Sequence, residues 1–167
     1  MSNDIDEMEK MLNDYLEFSK TQSQEETVKI DITKLLEKIE LNINNKNLTI
    51  TKVDQIFING RPNSLRRCFE NVINNGLNYG EKVVINISFS SNLLILTFDD
   101  NGPGIPRDQF KNVFKPFFRL DKSRSLNKSG VGLGLSIVED IVNSHGGSIQ
   151  LNESKLGGLQ VKISLPF

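Results

Sequence analysis

Two glycine-rich corners and a stripe of asparagines are the residues of this sequence best suited to chemistry. The first corner runs Asp99-Asp100-Asn101-Gly102-Pro103-Gly104-Ile105, and the second runs Gly130-Val131-Gly132-Leu133-Gly134-Leu135. Glycine lets a backbone approach a ligand closely, and a glycine turn entering a helix aims free N–H groups at an anion. Between the corners, Arg107 to Lys128 carries seven Lys or Arg against two Asp, a net +5. A cation-rich loop between flexible corners has the composition of a phosphate lid. The stretch from Asp99 to Leu135 therefore reads as a nucleotide site.

The asparagines lie upstream, on a segment that Gly60-Arg61-Pro62 turns into a helix over roughly Asn63 to Tyr79, because proline is tolerated in a first turn. At about 100° per residue, Leu65, Phe69, Val72, Ile73 and Gly76 gather on one side, and Asn71, Asn75 and Asn78 fall within about 60° of one another on the other. Asn competes for backbone hydrogen bonds and is a poor helix former, so a merely solvated face would more cheaply use Glu or Lys. A polar solvent face is the alternative for this stripe.

At 167 residues the chain can bury one core with appendages. Residues 1–26 hold eight acids and two bases, a net −6, while the rest holds thirteen acids and eighteen bases, a net +5. The surplus of the body equals that of the lid, so the positive charge is local. It suits an anionic small ligand, and no nucleic-acid partner is expected. The single cysteine, Cys68, has no partner for an intramolecular disulfide, and neither a CxxC pair nor a Cys/His metal cluster occurs. No signal peptide and no apolar run of spanning length is present. A cytoplasmic setting is expected, with any membrane anchor of a parent protein lying upstream.

The elements that must position these residues follow from periodicity. Ile5, Met8, Leu12, Tyr15 and Phe18 recur at helical spacing in an amphipathic helix over residues 1–20, whose apolar face needs a partner: the following domain, a second copy or an upstream helix. Lys20 to Lys29 reads as a linker or helix extension. Asp31 is the expected N-cap of a helix bearing Leu35, Leu36, Ile39 and Ile43. Strands are expected at Leu48–Val53, Gln55–Asn59, Val83–Ser90, Leu93–Phe98, Ser148–Leu151 and Leu159–Leu165. A short helix is expected at Pro106–Phe114, and one after the second corner ends at His145-Gly146-Gly147. That order lacks βαβ alternation and predicts a layered α/β sandwich rather than a doubly wound sheet.

Taken together, these motifs resemble those of the catalytic, ATP-binding domain of sensor histidine kinases, of the Bergerat type. Asn71-x-x-x-Asn75-x-x-x-Tyr79 looks like the N box, Asp100-x-Gly102-x-Gly104 like the first glycine box, and Phe114-x-x-Phe117-Phe118-Arg119 like the F box. Gly130-x-Gly132-x-Gly134-Leu135 resembles the second glycine box and Gly157-Gly158 the closing glycine turn. Order and spacing match over about 31–167. The resemblance implies a two-layer α/β sandwich, with a mixed sheet of about five or more strands on about three helices under an ATP lid. It divides the chain into a helix over 1–20 similar to the second helix of the dimerisation and phosphoacceptor hairpin, a linker over 21–30, and an ATP-binding domain over 31–167.

By the same resemblance ATP and Mg²⁺ are the expected cofactors. Asp100 would accept from the adenine amino group, with Gly102 and Gly104 against the base and Ile105 as an apolar wall. Asn75 would be the magnesium ligand and Asn71 would orient phosphates, joined by Asn78 and Tyr79. Gly132, Leu133, Gly134 and Leu135 would present N–H groups to phosphates, Phe118 would anchor the lid, and Arg119 would touch the γ-phosphate, helped by Lys122 and Arg124. Two departures stand out. Asn78 occupies a position where the family usually has Lys, Arg or His, so weakened phosphate contact, or compensation from the lid, is expected. Asn71 occupies a position where related ATPases and stand-alone serine kinases commonly carry Glu to activate water, and an amide is no general base at neutral pH.

The implied activity is therefore protein-histidine kinase: transfer of the γ-phosphate to a histidine on the phosphoacceptor helix of the same or a partner protomer, and then to a response-regulator aspartate. The lone histidine, His145, closes a helix and reads as structural. The phosphoacceptor is thus expected outside these residues, and a homodimer would form through the N-terminal helix of a full protein. A catalytically silent ATP-binding module and a stand-alone serine kinase are the alternatives.

Overall fold

The computed structural model describes residues 2–51, 53–116, 118 and 134–167. Along them the chain forms α1 (Ser2–Gln24), β1 (Val28–Asp31), α2 (Ile32–Ile43), β2 (Leu48–Ile50), β3 (Phe57–Gly60), α3 (Pro62–Tyr79), β4 (Val83–Ser90), β5 (Leu93–Asp100), α4 (Gly134–Ser144), β6 (Ser148–Glu153) and β7 (Leu159–Pro166). Two 3-10 turns, Arg107–Gln109 and Asn112–Phe114, stand where one short helix is predicted.

Five strands make one mixed sheet in the order β2-β4-β5-β7-β6, with β2 parallel to β4 and every other pair antiparallel. Leu94, Leu96 and Phe98 alternate along β5 and are buried on one face, where α2, α3 and α4 cover the sheet. Leu65, Phe69, Val72 and Ile73 of α3 meet Ile137, Val138, Ile141 and Val142 of α4 in that core, and the Phe69 and Phe98 rings lie 6.0 Å apart. This is the expected two-layer α/β sandwich. Among the described residues no helix packs extensively on the other face of the sheet, where Ile95 and Thr97 are half-buried.

Local chemistry sets the helix ends. Asp31 caps α2 by accepting from Lys34 N at 3.1 Å, and Asn44 closes it in the left-handed region. At the start of α3, Glu25 accepts from Asn63 N at 2.8 Å and Ser64 N at 3.0 Å, while His145 Nε2 accepts from Arg61 N at 3.0 Å. The free N–H groups of that terminus are thus met by two side chains distant in sequence.

Three details differ from the sequence-based expectation. Val28–Asp31 is a strand, paired antiparallel with β3 in a separate two-stranded sheet, where a linker or helix extension is predicted. Only Ile30 of β1 is buried, so so short a strand carries little alternation to detect. The strand expected over 48–53 ends at Ile50, and its neighbour begins at Phe57 rather than Gln55. On α1, Ile5, Met8, Leu12 and Leu16 are exposed, while Tyr15 packs against the core, its hydroxyl 3.5 Å from Asp140 Oδ2.

Candidate functional site

The first glycine corner is held by its own side chains. Asp100, the last residue of β5, is half-buried, and its Oδ1 accepts from Gly102 N at 2.9 Å and from Leu159 N at 3.1 Å. Its carbonyl accepts from Gly158 N at 3.1 Å. No described residue donates to Oδ2, which leaves one carboxylate oxygen for a ligand. Burial raises the Asp100 carboxyl above its usual range; the two backbone bonds work against this, and the neighbouring Asp99 charge adds to it. Asn101 Oδ1 accepts from Glu81 N at 2.8 Å and Lys82 N at 2.9 Å, tying the corner to the end of α3.

Several close approaches bring the motif residues together. A β-carbon on Gly76 would lie 3.4 Å from Asp100 Cβ, and one on Gly102 would lie 2.9 Å from the Tyr79 carbonyl oxygen. One on Gly134 would lie 3.2 Å from Asn75 Nδ2 and 3.5 Å from its Oδ1. Helix α3 therefore passes between the Asp100 corner and the first residue of α4, with Asn75 facing the latter. Gly104, in the left-handed region at φ +73°, stacks on the Gly158 backbone.

Of the residues singled out from sequence, Asn71 and Asn75 are half-buried on α3, and Asn78 and Tyr79 are exposed at its end. Ile105, Phe118 and Leu135 are half-buried against the core. Asn75, Tyr79, Asp100, Gly102, Gly104 and Gly134 are brought to one region. Arg119, Lys122, Arg124, Gly130, Gly132 and Leu133 lie outside the described residues, as does Phe117. Asn75 offers a hard amide oxygen beside a glycine, a donor suited to a magnesium ion that keeps water and phosphate oxygens as its other ligands. Among the described residues no group of three His, Cys, Asp or Glu gathers into a protein metal cage.

Other candidates for chemistry are structural. His145 donates from Nδ1 to the Ile141 carbonyl at 2.7 Å and accepts at Nε2, so the ring is neutral, and burial lowers its pKa. It joins the end of α4 to the start of α3. Cys68 is fully buried, and desolvation pushes its thiol far up, away from nucleophilic use.

Sequence reasoning missed two contributors. Gly158 was legible only as part of a glycine turn, although a β-carbon there would fall 2.6 Å from both Asp100 O and Gly102 N. Asp99 is buried, with Ser154 Oγ donating to its Oδ1 at 2.7 Å. Its sequence position beside Asp100 carries no sign of that.

Comparison with known proteins gives a consistent picture. Residues 60–167 match the family described as histidine kinase-, DNA gyrase B-, and HSP90-like ATPase. The chain is 33% identical over 165 residues to the sensor histidine kinase GtrS of Pseudomonas aeruginosa, covering 98% of this chain and 34% of that protein. It is 37% identical over 109 residues to the sensor histidine kinase CpxA of Escherichia coli K12, covering 65% of this chain and 24% of that protein. It thus spans about a third of the first relative and about a quarter of the second. The ATP binding domain of PrrB from Mycobacterium tuberculosis superposes with a TM-score of 0.68 at 28% identity, over 84% of this chain and 96% of that one.

Proposed function

Because this chain belongs to the histidine kinase-, DNA gyrase B-, and HSP90-like ATPase family, we propose that it is the catalytic ATP-binding part of a sensor histidine kinase. Its task is to hold ATP·Mg²⁺ with the γ-phosphate presented to a histidine on another segment, from which the phosphate passes to a response-regulator aspartate. One observation carries the proposal. Two backbone N–H groups hold Asp100 Oδ1 while Oδ2 is left without a described donor, on the side of α3 where Asn75, the first glycine corner and Gly134 come together.

Each residue then has a defined task. Asp100 Oδ2 accepts from the adenine amino group, and the Gly102–Ile105 backbone and side chain wall the base. The first turn of α4 directs its N–H groups at phosphates. Asn75 holds the metal ion, which when bound neutralises charge on the phosphate oxygens, and Asn71 lies one helical turn away to orient them. Arg119 supplies the cation for the γ-phosphate. Asn71 has no general-base chemistry, so transfer to an external acceptor is favoured over hydrolysis. Helix α1, Ser2–Gln24, serves as the second helix of a dimerisation and phosphoacceptor hairpin, through which a full protein dimerises.

The test is phosphotransfer in trans. The chain is incubated with radiolabelled ATP, Mg²⁺ and a phosphoacceptor hairpin from a relative such as CpxA. Acid-labile label on its histidine is expected. Tight ATP binding without label would favour a silent nucleotide module, and acid-stable label on a partner would favour a serine kinase.

A further inference from the structure

We propose that Asp99 is a positioning residue for base recognition, acting on Asp100 from the opposite face of the sheet. The proposal rests on the assignment of Asp100 to adenine. Side chains alternate along a strand, so Asp100 shares the helix-covered face with Leu96 and Phe98, and Asp99 shares the open outer face with Ile95 and Thr97. An acid on an uncovered face would ordinarily reach into water. Asp99 instead is only 7% exposed.

Its partners explain the burial. Asp99 Oδ1 accepts from Ser154 Oγ at 2.7 Å and from Gln160 Nε2 at 3.2 Å, and Oδ2 lies 3.4 Å from the same Gln160 nitrogen. Ser154 opens the turn between β6 and β7. Its N–H donates to the Gly158 carbonyl at 2.8 Å, its carbonyl accepts from Gly157 N at 3.0 Å, and its hydroxyl accepts from Leu156 N at 3.1 Å. The other end of this closed turn delivers Gly158 N to the Asp100 carbonyl and Leu159 N to Asp100 Oδ1. One turn is therefore tied to Asp99 on one face of β5 and to Asp100 on the other. Without the Asp99 tie, the turn loses its anchor, and Leu159 N no longer fixes which carboxylate oxygen faces the base.

The test compares affinity for ATP with affinity for inosine triphosphate, which lacks the amino group that Asp100 accepts from. A variant that only weakens the fold lowers both affinities alike and leaves their ratio intact. Asp99→Ala is expected to shrink the ratio at least fivefold. Asp99→Asn, whose carbonyl can still accept from Ser154, is expected to retain it. Should Asp99→Ala not fold, the double variant Ser154→Ala/Gln160→Ala removes the same ties and is expected to shrink the ratio equally. A wild-type ratio in the variant that removes the ties, or equal damage from Asn and Ala, overturns the role of Asp99 while leaving the base site standing. The control is Asp100→Asn: unchanged ATP affinity there would remove the base site, and the proposal with it.

Discussion

Gly158 packs against Asp100 so tightly that no side chain fits between them. A β-carbon on Gly158 would lie 2.6 Å from the Asp100 carbonyl oxygen, and closer still to Oδ1. The obstructing atoms are backbone or a pinned carboxylate, so the turn itself would have to move. Gly158→Ala is expected to weaken ATP binding at least tenfold, about 1.4 kcal/mol. Neighbouring Gly157 has φ +99° and open space around it, so Gly157→Ala is expected to cost stability, about 1–2 kcal/mol, with ATP affinity nearly unchanged. Calorimetric titration with paired thermal unfolding separates the two. Equal losses of ATP affinity in both variants would contradict this division.

The Asp100 carboxyl titrates above its usual range, first because it is buried and also because Asp99 stands beside it. The folded pKa is raised, so the carboxyl favours folding below its unfolded pKa of about 3.8, and this contribution is lost as pH rises through the folded value. Binding has the opposite sense. The acceptor form is depleted as pH falls, so ATP affinity drops at a higher pH than an ordinary aspartate would allow. Carboxyl chemical shifts followed by NMR are expected to place Asp100 above that range, and to move it down in Asp99→Asn. No movement in the variant would show that the Asp99 charge is immaterial.

At the start of α3, Glu25 and His145 meet the N–H groups that the helix leaves over. Glu25→Ala is expected to cost about 1–2 kcal/mol in urea unfolding, with partial recovery in Glu25→Gln. His145 has a lowered pKa, chiefly through burial, so its contribution is fully present above the ordinary value of 6.5 and is lost as pH falls through the folded one. Stability measured at pH 7.5 and pH 5 is expected to fall more steeply in the wild type than in His145→Gln. Parallel losses would rule out the neutral ring as the source.

Asn78 is exposed at the last turn of α3, one residue before Tyr79. On the proposed reading that Asn78 faces the phosphates, a cation there adds charge toward them at little steric cost. Asn78→Lys is expected to tighten ATP binding severalfold at low salt, the gain shrinking as salt is raised. No gain, or a salt-independent one, would count against phosphate contact at this position.

The layers and the site were unequally legible in the sequence. Long periodic segments such as Val83–Ser90, Leu93–Asp100 and the apolar side of α3 announce themselves, because burial repeats at the strand or helix period over many residues. Strand β1 does not, since Ile30 alone among its residues is buried and its pairing with β3 is decided by tertiary contact. Among the candidate site residues, Asn75, Gly102 and Gly134 were legible because glycine and asparagine are unusual at those spacings, and Asp100 because it ends a strand beside a glycine turn. Asp99 and Glu25 were not. Their partners, Ser154 and Gln160 for one and the start of α3 for the other, are distant in sequence, and no local pattern encodes such a bond.

Adenine recognition by Asp100 is where the placement of the whole site is most exposed to refutation. Isothermal titration of ATP with Mg²⁺ into the wild type and into Asp100→Asn tests it directly. The amide replacement keeps the size of the side chain and its backbone bonds through Oδ1, and turns the free oxygen into a donor. Binding by the wild type and a loss of at least about thirtyfold, roughly 2 kcal/mol, in Asp100→Asn are expected. Equal affinities, with both proteins folded, would contradict the assignment.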